Sequence, residues 1–169
     1  YLDRSHTSVL YPLSLPTGVG MEAAGEIINI GAHVEGFSLG DKICYVMELG
    51  SYSTHRNINA SRIVKIPESI KDYEAAASML KGMTVEYLVE RLFKVNNSHT
   101  VLFHAVAGGV GLIACQWLKS LGAFIIGTAG NAAKAELAKK HGCDEVILYK
   151  DVNFVEKVND ITKGKGVMV

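Results

Sequence analysis

The stretch TVLFHAVAGGVGLIACQWLKSLGAFIIGT, residues 100–128, sets three glycines, Gly108, Gly109 and Gly111, within four positions of an otherwise apolar run. TVLFHAV (100–106) is rich in β-formers and predicts a buried strand. GLIACQWLKSLG (111–122) predicts a helix, and AFIIGT (123–128) a second strand. Glycine is less favourable than alanine in a helix interior by about 1 kcal/mol. Three of them at the mouth of a helix therefore need an offsetting gain, which is whatever their bare backbone lets approach.

Working outward, the alternation continues with a helix over AAKAELAKKHG (132–142), a strand over EVILY (145–149) and a helix over VNFVEKVNDIT (152–162). GVMV (166–169) reads as the first half of a further strand. Strands alternating with helices of this length imply right-handed βαβ units on a parallel sheet. Upstream the grammar differs. GEIINIGAHV (25–34), GDKICYVME (40–48) and STHRNINASRIVKI (53–66) are short β-type runs broken by Gly, Asn and Ser, which predicts a small barrel or sandwich. Between the two parts, DYEAAASMLKGMTVEYLVERLF (72–93) has helical spacing, with Gly82 expected to split it into two helices. The expected domains are thus 1–81 and 82–169.

The 169 residues carry 17 basic and 17 acidic side chains, a net charge of +0. A balanced charge argues against nucleic acid or anionic membrane as partner. The longest apolar run is broken by glycines and falls short of the roughly 18 residues of a membrane helix. Three cysteines, Cys44, Cys115 and Cys143, form neither a CxxC pair nor a metal-spaced cluster. With no leader of signal-peptide type at the start, a cytoplasmic setting is expected. The chain opens on Tyr1 and closes within a strand-like run, so a fragment is expected.

A glycine turn that leaves a strand and opens a helix is where a dinucleotide diphosphate sits on a helix N-terminus. In the GxGxxG register the positions are Val106, Gly108 and Gly111, so only two of three are glycine. Gly108 would admit the phosphates and Gly111 a close helix–sheet contact, while Val106 would have to tolerate the tight turn. The alternative is tight packing with no ligand. NAD binding also calls for a carboxylate about 20 residues on, to read the ribose. The window LGAFIIGTAGNAAKA (121–135) has no acid, and its ionisable residue is Lys134. An exposed helix lysine is the ordinary role for that residue, but the missing acid points to NADPH, whose 2′-phosphate an ammonium can pair with.

FHAVAGGVGLIACQWLKSLGA, together with GMEAAGEI, LGDKI and AAASMLKGMTVEYL, closely resembles the zinc-free quinone oxidoreductases, the zeta-crystallin-like branch of the medium-chain dehydrogenase/reductase superfamily. The resemblance covers essentially the whole chain. It implies an α/β protein in which a partial GroES-like, β-rich catalytic domain precedes a partial Rossmann domain with a doubly wound parallel sheet. It also implies NADPH in the cleft between the two, and a homodimer in the full-length protein. Thr84 matches the KGxT threonine near the nicotinamide, and Ala107, Gly108, Gly109, Val110 and Gly111 match the AGGVG diphosphate turn. Gly130, Lys134 and Tyr149 match residues at the adenosine 2′-phosphate.

Zinc relatives carry a metal-binding histidine in GHExxG; here GMEAAG puts Met21 in its place and keeps Glu22. Met is a poor zinc ligand, so no metal is expected. A quinone or enone can accept reducing equivalents from a nicotinamide without one, given alignment and a hydrogen-bond donor. Tyr11 matches a family tyrosine near the nicotinamide and is either that donor or a loop anchor. The segment DRSHTSV (3–9) departs from the family pattern, keeping only Asp3 and Ser8. Two other readings share the cofactor, an enone or alkene reductase and a non-catalytic NADPH-binding protein. His6 has no support as an acid or base, and His104 reads as a strand histidine with its hydrogen bond satisfied.

Overall fold

The computed structural model describes residues 13–169, so His6, Tyr11 and the DRSHTSV segment lie outside the described residues. The chain divides into two compact units between Leu80 and Lys81.

In the first unit, β1 (Glu22–Glu26), β2 (Lys42–Val46) and β3 (Ile63–Lys65) form an antiparallel sheet in that order. Ile43, Cys44 and Tyr45 of β2 supply its buried residues. Two of the predicted strands shrink, for local reasons. The run at 25–34 contributes only the end of β1, because the Asn29 side chain takes the Ile30 N–H (2.8 Å) and a turn closes from Gly31 O to Val34 N. In 53–66 the Asn59 side chain accepts from Ser61 N and caps a 3-10 turn, Ala60–Arg62, so the strand begins only at Ile63. Short polar side chains offer the backbone an alternative to the ladder.

α1 (Asp72–Glu86) runs through Gly82 instead of breaking there, and gives way at Tyr87–Leu92 to a wider π-type turn. One glycine costs a helix only about 1 kcal/mol, which flanking turns rich in Ala, Leu and Met sustain.

The second unit is a parallel sheet of β4 (Thr100–Phe103), β5 (Phe124–Ala129) and β6 (Glu145–Leu148). It alternates with α2 (Gly109–Ser120), α3 (Ala132–Lys140) and α4 (Phe154–Ile161). Successive strand residues face opposite sides. Val101 and Ile125 join Ala114, Leu118 and Ala138 in one core, whereas Ile126 and Ile147 pack with Val158 of α4, and with Leu102 and Phe154, in another. Helices therefore cover both faces, as a doubly wound sheet requires. Each buried Leu, Ile or Val contributes about 1.5–3 kcal/mol.

The predicted strand at 166–169 does not become a regular strand, yet Met168 N bonds Thr100 O (3.0 Å) and Leu102 N bonds Val169 O (2.8 Å). β5 takes its bond from the odd-numbered side of β4, through His99 O to Phe124 N. The last residues thus lie along the opposite edge of β4, so the order of connections reverses on either side of that strand.

All three cysteines are free and buried. The neighbouring Cys115 thiol and burial push the Cys143 thiol far above its usual range, and its Sγ donates to Glu145 O at 3.2 Å. No helix among the described residues is long and apolar enough to cross a membrane.

Candidate functional site

In the second unit, the site forms at the C-terminal ends of β4, β5 and β6, the side on which open α/β sheets bind ligands. β4 stops at Phe103, and residues 104–108 turn into α2. The tight turn that the motif register assigns to Val106 falls one residue earlier. Ala105 has φ +53, in the left-handed region that non-glycine residues rarely adopt. Val106 itself is fully buried, at 0% exposure, because two glycines make room for it. A Cβ on Gly111 would lie 2.4 Å from Val106 O and 2.7 Å from its Cα, and one on Gly127 would lie 2.5 Å from Val106 Cγ1. Gly111 therefore serves helix-to-strand packing. A glycine at 127, which the motif register does not include, does the same from β5.

Gly108 and Gly109 are exposed and do different work. Gly108 is the N-cap of α2, with extended backbone and no side-chain cap. By contrast, Asn131 caps α3 through Lys134 N, and Asn153 caps α4 through Val155 N. The first N–H groups of a helix have no acceptor within the helix and carry the positive end of its dipole. An anion is the complement of such an end. Ala107 and Val110 are half-buried and pack on the core, holding the turn from beneath.

Above Gly109 lies a residue that the motif reading does not single out. A Cβ on Gly109 would sit 3.0 Å from both Cδ and Cε of Lys81, so the stem of this α1 lysine passes over the start of α2. Its signal in the sequence is its place at the head of KGMT, one helical turn before Thr84. Thr84 is exposed on α1, three residues on and therefore on a shared side of the helix. Because the Lys81 stem is flexible, Gly109→Ala is expected to change stability by less than about 0.5 kcal/mol. Urea unfolding of the variant measures this, and a larger loss would mean that the lysine cannot move.

At the end of β5, Gly130 and Tyr149 meet. A Cβ on Gly130 would lie 2.9 Å from the Tyr149 hydroxyl, so the missing side chain is what gives that hydroxyl its place. Tyr149 is 50% exposed and follows directly on β6. Lys134 stands in the first turn of α3, exposed, its N–H held by Asn131 Oδ1 at 2.9 Å. That turn contains no acid. The structure thus gathers Gly130, Asn131, Lys134 and Tyr149 around the ends of two adjacent strands. Asn131 adds a residue whose signal was its place just before the predicted helix.

His104 lies just beyond β4, its Nδ1 3.1 Å from Thr128 Oγ1 and its ring edge-on to Phe154. In the first unit Met21 precedes β1, while Glu22 opens it and accepts Leu80 N at 3.3 Å. Among the described residues no group of three His, Cys, Asp or Glu could hold a metal ion.

Two family models match successive parts of the chain. The family model described as the alcohol dehydrogenase GroES-like domain matches residues 2–89, and that described as zinc-binding dehydrogenase matches residues 109–169. The chain belongs to the alcohol dehydrogenase GroES-like family. Within the medium-chain dehydrogenase/reductase superfamily, this alcohol dehydrogenase-like chain lies in the quinone oxidoreductase branch. It is 47% identical to quinone oxidoreductase of Salmonella typhimurium, over 100% of its own length and 52% of that protein. The crystal structure of Escherichia coli quinone oxidoreductase complexed with NADPH matches with a TM-score of 0.94 and 46% identity, over 98% of this chain and 52% of that one. A 2-haloacrylate reductase from Burkholderia is 40% identical over 100% of the chain and 53% of that protein. The chain spans about half the length of the curated relatives it matches. The sheet at 22–65 is the GroES-like part and the parallel sheet at 100–148 the Rossmann-like part.

Proposed function

We propose that the protein takes part in NADPH-dependent, metal-independent reduction of quinones, with 82–169 as the cofactor domain and 1–81 as the catalytic domain. The observation that carries this reading is the acid-free end of β5, where Gly130 meets Tyr149 and Lys134 stands in the first turn of α3, at the same end of the sheet as the uncapped start of α2. The groups present fit a dinucleotide phosphate. Bare N–H groups at Gly109, Val110 and Gly111 suit the diphosphate. A lysine and a tyrosine hydroxyl suit a 2′-phosphate, and no carboxylate stands in the first turn of α3 to repel it.

Bound there, NADPH supplies a hydride. The chain's own contribution is to hold the dinucleotide along its length, with Lys134 and Tyr149 at the 2′-phosphate, the α2 turn at its middle and Thr84 toward the nicotinamide. A quinone delocalises the incoming charge over its own carbonyls, which is why the Met21 substitution in the GMEAAG segment suits such an acceptor. Tyr11 is the proposed donor to the acceptor oxygen, and a cytoplasmic homodimer of the full-length protein belongs to the same reading. The relative crystallised with NADPH and the relatives bearing the quinone oxidoreductase name support it.

The 40% identity to a 2-haloacrylate reductase favours a second reading, reduction of an activated alkene or enone with the same cofactor. Side-by-side titration with NADPH and NADH, followed by turnover on 1,4-benzoquinone and on an enone, tests both. NADPH is expected to bind at least about ten-fold more tightly, which corresponds to about 1.4 kcal/mol. Equal affinity for NADH would overturn the cofactor reading. Turnover of the enone alone would favour the second acceptor, and binding with no turnover of either a non-catalytic role.

A further inference from the structure

Among the described residues Thr128 is the one polar residue in the buried core, at 2% exposure. A buried hydroxyl is retained where it is hydrogen-bonded. Here it accepts the Ala105 N–H at 3.3 Å and lies 3.1 Å from His104 Nδ1, while the Thr128 carbonyl accepts Val106 N at 3.1 Å. One β5 residue therefore holds two consecutive backbone N–H groups of the turn leaving β4. Ala105 is the residue with φ +53. Left to itself an alanine prefers the right-handed or extended regions by roughly ten-fold or more.

The left-handed Ala105 also turns its carbonyl to accept Gly108 N at 2.8 Å, so its conformation sets where the α2 cap stands. We infer that Thr128 is a positioning residue: its buried hydroxyl clamps Ala105 in the left-handed conformation and so aims the uncapped start of α2 at the diphosphate of the dinucleotide. This rests on the dinucleotide reading above. Thr128 acts through Ala105 and Gly108, without touching the ligand.

The test uses the whole chain with NADPH as the probe, and reads two quantities, NADPH affinity and the amide exchange rate of Ala105. Thr128→Val removes the acceptor and is expected to weaken NADPH about ten-fold and to speed exchange at Ala105. Thr128→Ser keeps the hydroxyl and restores both. The decisive variant is Ala105→Gly in the Thr128→Val background. Glycine adopts φ +53 without penalty, so affinity is expected to return to within about three-fold of the parent.

Wild-type affinity in Thr128→Val, or no rescue by Ala105→Gly, overturns the clamp and leaves Thr128 as packing. If Thr128→Val does not fold, Ala105→Val decides instead. It keeps the hydroxyl but disfavours the left-handed region by β-branching, and undiminished affinity would overturn the inference. Failure of the parent chain to bind NADPH would sink the dinucleotide reading, while exchange at Ala105 would still report on the clamp.

Discussion

Replacing Gly111 by alanine is expected to destabilise the second unit by about 2 kcal/mol and to abolish dinucleotide binding. Two effects compete. Alanine is the better helix former by about 1 kcal/mol. Against it, the new Cβ would stand 2.4–2.7 Å from the carbonyl oxygen, carbonyl carbon and Cα of Val106, all backbone atoms that cannot rotate away. Overpacking of a core typically costs about 1–3 kcal/mol, and a backbone obstacle on a fully buried residue belongs at the upper end or beyond. The steric term therefore wins, and α2 has to move off β4. Because the first N–H groups of α2 travel with it, binding is lost along with stability. Urea unfolding and NADPH titration measure the two effects. A variant as stable as the parent would show that the helix slides freely on the sheet.

The second large effect is expected at Lys134. A charge-assisted hydrogen bond contributes about 1.5–3 kcal/mol. Lys134→Glu removes one and places a carboxylate in a first helical turn that now has none. NADPH affinity is expected to fall roughly 100-fold, while NADH, which has no 2′-phosphate, changes by less than about three-fold. The preference between the two nucleotides then disappears or inverts. Lys134 is exposed, so the effect should shrink as salt rises. Titrations of both nucleotides at low and high ionic strength measure it. Loss of NADPH and NADH binding to the same degree would mean that Lys134 has a structural role, and no loss of either that the 2′-phosphate lies elsewhere.

The fold class was legible because its signals are local and periodic. The apolar runs at 100–106 and 123–128, separated by one helix length, admit little besides a parallel βαβ unit, and α2, β5 and α3 fall within two residues of where spacing puts them. Legibility was lower in the first unit, where Asn29 and Asn59 divert the backbone from strands that composition alone favours. The helix running through Gly82 belongs to the same class of outcome, since a weak local preference yields to the turns on either side.

At the candidate site, sequence determined which chemistry was available. The glycine turn, the acid-free end of the second Rossmann strand, Lys134 in its helix and methionine at position 21 are all properties of the string of residues. Tertiary structure decided which glycine does what. Gly111 and Gly127 close on Val106, Gly109 passes beneath Lys81, Gly130 faces the Tyr149 hydroxyl, and the strained turn falls on Ala105 and not on Val106. The pairs involved, 128 with 105, 81 with 109 and 130 with 149, are each brought together by packing between separate elements. Hydrophobic periodicity records only which face of its own element a residue occupies. Which atom meets it across the interface is fixed when the sheet and helices close to packed density, and no spacing rule within one element contains that distance.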